Sequence, residues 1–251
     1  MSLSELLGRA RNEVPVYGSG GFTTYGDRQT VEQLQHWTEE LAIPKVKIKI
    51  GESWGTNPHR DLARIGLARK TIGDDRDLFV DANGGYTAKQ AVRLGRRMVD
   101  DAGVAWFEEP VSSDDHDGLR LVRSMVDCDV AAGEYGYHPN YFAALIADDT
   151  VDCVQIDVTR VGGITAWLAV AHLAAAHNLQ VSGHCAPNLH AHVAATAANL
   201  RHVEYFWDHE RIENRYFDGA LTPRNGSLIP TDAPGHGMTF KAADAEDLRM
   251  G

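Results

Sequence analysis

Cysteine is scarce in this sequence: Cys128, Cys153 and Cys185 are the only three among 251 residues. An odd number without metal-ligand spacing argues against a disulfide framework and suits a reducing cytoplasm, so a cytoplasmic location is expected. Long apolar runs are also missing. None approaches the length needed to span a bilayer, and the N-terminus has no signal-peptide pattern. Positive charge is in deficit, with 24 Lys and Arg against 35 Asp and Glu and a net charge of -11. That balance argues against nucleic acid and anionic membrane surfaces as partners. No Gly-x-Gly-x-x-Gly follows an early strand, which removes the usual support for an open dinucleotide-binding sheet. What remains is a globular composition, 43% hydrophobic and 24% charged, at a length usual for one α/β barrel.

The stretch Val46-Lys47-Ile48-Lys49-Ile50-Gly51 poses the first question. Alternation along a strand sends Lys47 and Lys49 to one face and Val46, Ile48 and Ile50 to the other. Facing water, the lysines would mark an ordinary amphipathic edge strand. Inside a parallel barrel, whose strands are buried on both faces, they would repel each other, and burial with like charge lowers a lysine pKa toward that of a useful base. The later strands decide between the two.

Down the chain, strand-like runs alternate with helical patterns. The strands are Val14–Tyr17, Val46–Gly51, Leu78–Asp81, Val104–Glu108, Val130–Glu134, Val151–Asp157, Gln180–His184 and His202–Phe206. Thr30 with Gln33 reads as a capping box, Asn57-Pro58 as a helix start, Thr87 with Gln90 as another, and Pro139 as a fourth. Eight strands separated by seven helical segments, with no linker, predict a TIM-type (β/α)7β parallel barrel. From Phe217 onward Gly and Pro break the pattern. The expected division is therefore a barrel over residues 1–217 and an irregular tail over 218–251.

In this architecture chemistry gathers at the C-terminal ends of the strands. Those positions carry Lys47 and Lys49, Asp81, Glu108, Glu134, Asp157, His184 and Glu204. Three acids on consecutive strands would repel one another unless a cation sits between them, and hard oxygen donors suit Mg²⁺. Asp81, Glu108 and Glu134 are thus the expected metal ligands. Glu109 is expected to point away, because only one of two neighbours on an alternating strand faces inward. Asp157 and His184 end adjacent strands, and a carboxylate on one ring nitrogen leaves the other free for proton transfer. His190, His192, His202 and His209 read as helix-surface or barrel-rim residues. Glu204 reads either as a salt-bridge partner for the lysines or as a protonated hydrogen-bond donor.

Taken together, Lys47-Ile48-Lys49, Asp81-Ala82-Asn83, Phe107-Glu108-Glu109-Pro110, Gly133-Glu134, Asp157 with Gly162-Gly163-Ile164-Thr165, Ser182-Gly183-His184 and His202-Val203-Glu204 resemble the enolase superfamily. Within it the set is similar to the mandelate racemase/muconate lactonising branch, and to its mandelate racemase subgroup. The resemblance implies Mg²⁺-assisted abstraction of the α-proton of a hydroxy-acid carboxylate through an enediolate. Lys49 would act on one face, its pKa lowered by Lys47 and the metal, and His184 with Asp157 on the other. Glu204 would donate to a carboxylate oxygen, and Asn83, Ser19 and Arg160 would touch the substrate. A sugar acid undergoing dehydration is the first expectation; racemisation or epimerisation of a 2-hydroxy acid is the second. Family members carry an N-terminal α+β capping domain, which this chain is expected to lack. That expectation admits a third reading, a capless and catalytically idle metal-binding barrel, and predicts self-association into a homo-oligomer.

Overall fold

Eight parallel strands pair in sequence order and close on themselves. In this computed structural model, which describes residues 1–249, they are β1 (Val14–Gly20), β2 (Lys45–Lys49), β3 (Asp77–Asp81), β4 (Val104–Glu108), β5 (Asp129–Ala132), β6 (Cys153–Ile156), β7 (Gln180–Gly183) and β8 (Leu200–Phe206). Pairing of β1 with β8 shuts the barrel. A short α1 (Leu3–Leu6) precedes it. Between the strands run α2 (Asp27–Gln35, continued by a π-helical turn at His36–Glu40), the short α3 (Glu52–Gly55), α4 (Pro58–Ile72), α5 (Ala88–Ala102), α6 (His116–Met125), α7 (Pro139–Ala147), α8 (Ile164–Ala176) and α9 (Pro187–Ala194). The (β/α)7β barrel expected from the alternation is therefore present, with an additional helix, α10 (Trp207–Tyr216), after β8.

Strand parity sorts the side chains into two layers. Val46, Ile48, Val80, Phe107, Val130, Val154, Val181 and Val203 point outward and are buried under the helices in one continuous core. Each such side chain contributes roughly 1.5–3 kcal/mol by leaving water. The opposite parity fills the barrel's interior. Its lower layer is Tyr17, Phe79, Trp106, Ala131 and Cys153, with the rings of Phe79 and Trp106 stacked at 5.5 Å. Two residues further along the same strands come the polar and charged groups of the mouth.

The remaining described residues wrap this frame. Strand β9 (Phe217–Asp218) pairs with β11 (Thr239–Phe240), β10 (Ser227–Leu228) pairs antiparallel with the start of β1, and a 3₁₀ segment spans Ala242–Leu248. No helix among the described residues is long and apolar enough to cross a membrane.

Two expectations need correction here, the Thr30 cap and the surface placement of three histidines. Thr30 does not cap α2: the helix begins earlier, at Asp27, Thr30 Oγ1 donates to the Gly26 carbonyl, and Gln33 Oε1 accepts from the Gly21 amide at 2.6 Å. His190, His192 and His202 are buried rather than on the surface. His202 sits inside the barrel, 4.7 Å ring to ring from Tyr17 and 5.1 Å from Trp106, and burial holds it neutral, well below the usual histidine range. His190 bridges two strand ends, its Nδ1 2.7 Å from the Cys185 carbonyl and its Nε2 accepting from the Val158 amide.

Gly133 is a glycine on which the mouth depends. At φ +137° it turns the chain inward after β5, and a Cβ there would lie 2.1 Å from the Gln155 carbonyl oxygen on β6. A clash with neighbouring backbone has no rotamer to relieve it. Gly133→Ala is therefore expected to cost about 2–5 kcal/mol, summing backbone strain and overpacking. Urea unfolding at neutral pH checks this; an unchanged midpoint would contradict it.

Candidate active site

Register sets the height of the mouth residues. Lys49 on β2 is level with Asp81 on β3, and Asp81 is level with Glu108 on β4. Glu134 lies just past β5 and is brought inward by the turn at Gly133. Carboxylate oxygens of Asp81, Glu108 and Glu134 all fall within 4.8 Å of one another, and all three residues are buried. Around the other side, His184 Nδ1 lies 2.8 Å from Asp157 Oδ2. From β7 the ring returns to β2 through β8 and β1, so the lysine and the histidine flank the acids from different sides.

Lys47 lies one layer below, fully buried. Its Nζ is 2.6 Å from Glu108 Oε1, 2.9 Å from Glu204 Oε1 and 3.6 Å from Asp81 Oδ2. Burial pulls its pKa down, but Glu108 and Glu204 outweigh that and hold it well above the usual lysine range. It is a fixed internal cation. The carboxyls compete for it. Glu108 also accepts from Trp106 Nε1 at 3.1 Å and from Gln155 Nε2 at 3.0 Å, yet burial with the repulsion of Asp81 and Glu204 pushes it up to about 8. Asp81, against its own burial, is held low by Lys49 and Lys47.

Several expected roles change against this geometry. Lys49 hydrogen-bonds Asp81 Oδ2, and that carboxylate raises its pKa against its burial and Lys47. Of the two roles expected for Glu204, the geometry shows the salt bridge, with Lys47 at 2.9 Å, rather than a protonated donor. Its Oε1 accepts from Ser19 Oγ at 2.6 Å, its Oε2 accepts from the Cys185 amide at 3.0 Å, and Lys47 and His184 hold it well below the usual carboxylate range although it is buried. Ser19 is fully buried, with its hydroxyl committed to Glu204. Glu109 does not point away. Strand β4 ends at Glu108, a positive φ of 38° swings Glu109 back inside, and burial with the charges of Glu134 and Asp81 pushes its carboxyl up to about 9.

The remaining predicted residues sit at the rim. Asn83 is exposed, with its amide on Asp81 Oδ1 at 2.8 Å. Arg160 donates to the Glu134 carbonyl at 3.1 Å and lies 3.5 Å from Asp157 Oδ2. Burial raises Asp157, but His184 and Thr159 outweigh it and bring the carboxyl down to about 2; His184 in turn is held well above its ordinary value by Asp157 and Cys185 against its burial. Tyr17, Trp106 and Gln155, which support Lys47 and Glu108 from below, escaped sequence reading. Counting back two residues from Ser19, Glu108 and Asp157 would have found them.

Two cavities of about 470 and 480 Å³ open at this mouth and share Trp54 and Asn83. The first is bordered by Lys49 and the second by Glu109. A cavity of about 940 Å³ lies elsewhere, between α10 and the tail.

For a hard dication the donor set fits. Three buried carboxylates converge, and Glu134 Oε2, although 3.2 Å from His184 Nε2, has no hydrogen bond of acceptable geometry. Among buried side-chain atoms, Glu109 Oε1 is likewise unpartnered. Oxygen-only ligation of this kind is what Mg²⁺ requires.

A parallel α/β barrel whose strand ends carry an acidic ring between a lysine and a histidine–aspartate pair is a narrow class. Residues 29–245 match the family described as Enolase C-terminal domain-like, and the chain belongs to that family. It is similar to L-talarate/galactarate dehydratase of Salmonella typhimurium (strain LT2), with 31% identity over 241 residues, 96% of this chain and 58% of that protein. Among solved structures it is similar to a mandelate racemase/muconate lactonizing enzyme-like protein from Rubrobacter xylanophilus, at 43% identity and a TM-score of 0.92, covering 98% of this chain and 68% of that one. It is also similar to L-talarate dehydratase from Polaromonas sp. JS666 complexed with Mg and L-glucarate, at 30% identity and a TM-score of 0.87, covering 98% and 66%. The chain thus spans 58% of the length of the Salmonella relative.

Removing the internal cation tests the electrostatics directly. Lys47→Met leaves three buried carboxylates facing one another, and is expected to cost about 3–5 kcal/mol. Chemical denaturation at pH 7 measures it. An equal or higher stability would show that Lys47 does not hold the acids together.

Proposed function

We propose that the barrel mouth removes the α-proton of a sugar-acid carboxylate and expels the neighbouring hydroxyl as water, the reaction of an acid-sugar dehydratase. The observation that carries this is the convergence of Asp81, Glu108 and Glu134 between Lys49 and the His184–Asp157 pair. The names of the Salmonella and Polaromonas relatives support the substrate class.

In this reading Asp81, Glu108 and Glu134 hold Mg²⁺, which when bound supplies the charge that stabilises the substrate carboxylate as its α-proton leaves. Lys49 takes that proton as the neutral amine, so it must first leave its ion pair with Asp81 and release its own proton to solvent. His184, oriented by Asp157 through Nδ1, presents Nε2 as the acid for the departing β-hydroxyl. Glu204 and Ser19 keep Lys47 and the loop after β7 in place rather than touching substrate. Asn83 and Arg160, at the rim, orient the polar chain of the acid. The presence of two proton-transfer groups on separate strands favours one alternative, racemisation or epimerisation, in which the proton returns from the other face.

The same proposal covers surroundings. Three free thiols fit a cytoplasmic protein. Exposed Ile212, Phe240 and Leu248 around the large cavity fit association with a second copy of the chain.

Incubation with Mg²⁺ and a panel of aldonic and aldaric acids in D₂O tests the reading. Loss of water with one solvent deuterium at the β-carbon, where the enol product ketonises, is expected, and His184→Asn should lower dehydration about 10²–10⁴-fold. Exchange without water loss would favour the racemase alternative. Absence of both water loss and α-proton exchange with every acid, in a folded, Mg²⁺-loaded protein, would refute both.

A further inference from the structure

Beside the acidic ring lies a second, chemically different group of donors: His184 Nε2, Cys185 Sγ and Glu204 Oε2. Sγ is 3.4 Å from Nε2 and 3.4 Å from Oε2, and Nε2 is 3.7 Å from Oε2. A tetrahedral ion bonded to sulfur at about 2.3 Å and to nitrogen and oxygen at about 2.0–2.2 Å needs edges of about 3.3–3.6 Å between such donors. The triangle already has nearly that size.

Each donor is also aimed by a partner on its far side. Asp157 takes His184 Nδ1 at 2.8 Å and leaves Nε2 to the triangle, the carboxylate–histidine arrangement that orients metal-bound imidazoles. Lys47 and Ser19 hold Glu204 Oε1 at 2.9 and 2.6 Å, which leaves Oε2, steadied by the Cys185 amide at 3.0 Å, turned to the triangle. Cys185 is fixed by an unusual backbone, φ +49°, followed by Ala186 at +40°, just before α9. His184 and Glu204 are buried, as is the unpartnered Glu134 Oε2, 3.2 Å from Nε2. A thiol among these groups has no part in the proposed proton transfers, and Mg²⁺ does not take sulfur ligands. Sequence spacing hides the set because its members come from the ends of β7 and β8.

We propose that His184, Cys185 and Glu204 form a zinc site adjoining the hard-cation ring, occupied by Zn²⁺ with displacement of the thiol and imidazole Nε2 protons to solvent. Zinc there ties up Nε2, so it switches off the proton transfer assigned to His184; that consequence, unlike the site itself, rests on the proposed function.

Cobalt(II) reports the site without turnover. The native protein, with Mg²⁺ in excess to fill the acidic ring, should bind one Co²⁺ with a thiolate-to-cobalt band in the near ultraviolet, erased by one equivalent of Zn²⁺. Cys185→Ser should lose the band and weaken cobalt binding at least about tenfold. The other two thiols are buried and pushed up to about 12 by that burial, so they do not supply the band. A folded native protein without the band, or a Cys185→Ser protein that keeps it, overturns the proposal. Without any variant, Zn²⁺ should protect Cys185 from iodoacetamide as read by peptide mass spectrometry, and undiminished alkylation in zinc would equally overturn it. Zinc should abolish turnover in the native protein and spare Cys185→Ser. If no form turns over, the proposed function fails while the spectrum still decides the site.

Discussion

The structure turns on one buried ammonium. Lys47 has no contact with water, and its nitrogen touches carboxylates from β4 and β8 while a third, from β3, stands just beyond. Two ions removed from water lose several kcal/mol each in hydration, and only a close, hydrogen-bonded arrangement recovers it. Trp106, Gln155 and Ser19 provide the remaining hydrogen bonds, so the pair Glu108–Glu204 is held from every side. Lys47, Lys49 and His184 are still too few for Asp81, Glu108, Glu109, Glu134, Asp157 and Glu204 together. The deficit is visible in Glu108 and Glu109, pushed up to about 8 and about 9, and in Lys49, drawn onto Asp81. A mouth so short of positive charge is arranged for a cation it does not itself contain.

The barrel was legible because its strands obey a period of two at both ends. The parity that places Val46 and Ile48 under the helices is the same parity that places Lys47 and Lys49 inside, and register then levels Lys49, Asp81 and Glu108. The failures have equally local causes. Glu109 was assigned by extending a strand that stops at Glu108, and a single positive φ reverses its direction. Ser19 reads from the sequence as a substrate contact, whereas its hydroxyl donates to Glu204, which keeps the salt bridge to Lys47 that was one of its two readings. Helix α10 was overlooked because it is nearly all polar, with Glu210 its one buried residue, so it carries no apolar stripe to read. His202 looked like a rim residue, yet parity with Glu204 puts it in the aromatic floor.

Mouth and floor divide the labour of the fold. The aromatic layer of Tyr17, Phe79 and Trp106 closes the barrel below and leaves the charged groups no route to water except upward. Electrostatic interactions in such a half-closed, low-dielectric cup are stronger than at a surface, which suits proton abstraction from a weak carbon acid. The strained backbone at Ser53, Trp54, Asn83, Glu109 and Cys185 lies in the segments that follow the strand ends, where side chains are aimed rather than packed. Membership of the Enolase C-terminal domain-like family agrees with that division.

The claim that the acidic ring is completed by a cation is tested most directly by thermal unfolding against Mg²⁺ concentration, for the native chain and for Glu108→Gln. Binding to the folded state alone raises the melting temperature progressively with free ligand. The account predicts a saturable rise in the native protein that is lost in the variant. A native melting temperature indifferent to Mg²⁺, or an identical rise in both proteins, would contradict it.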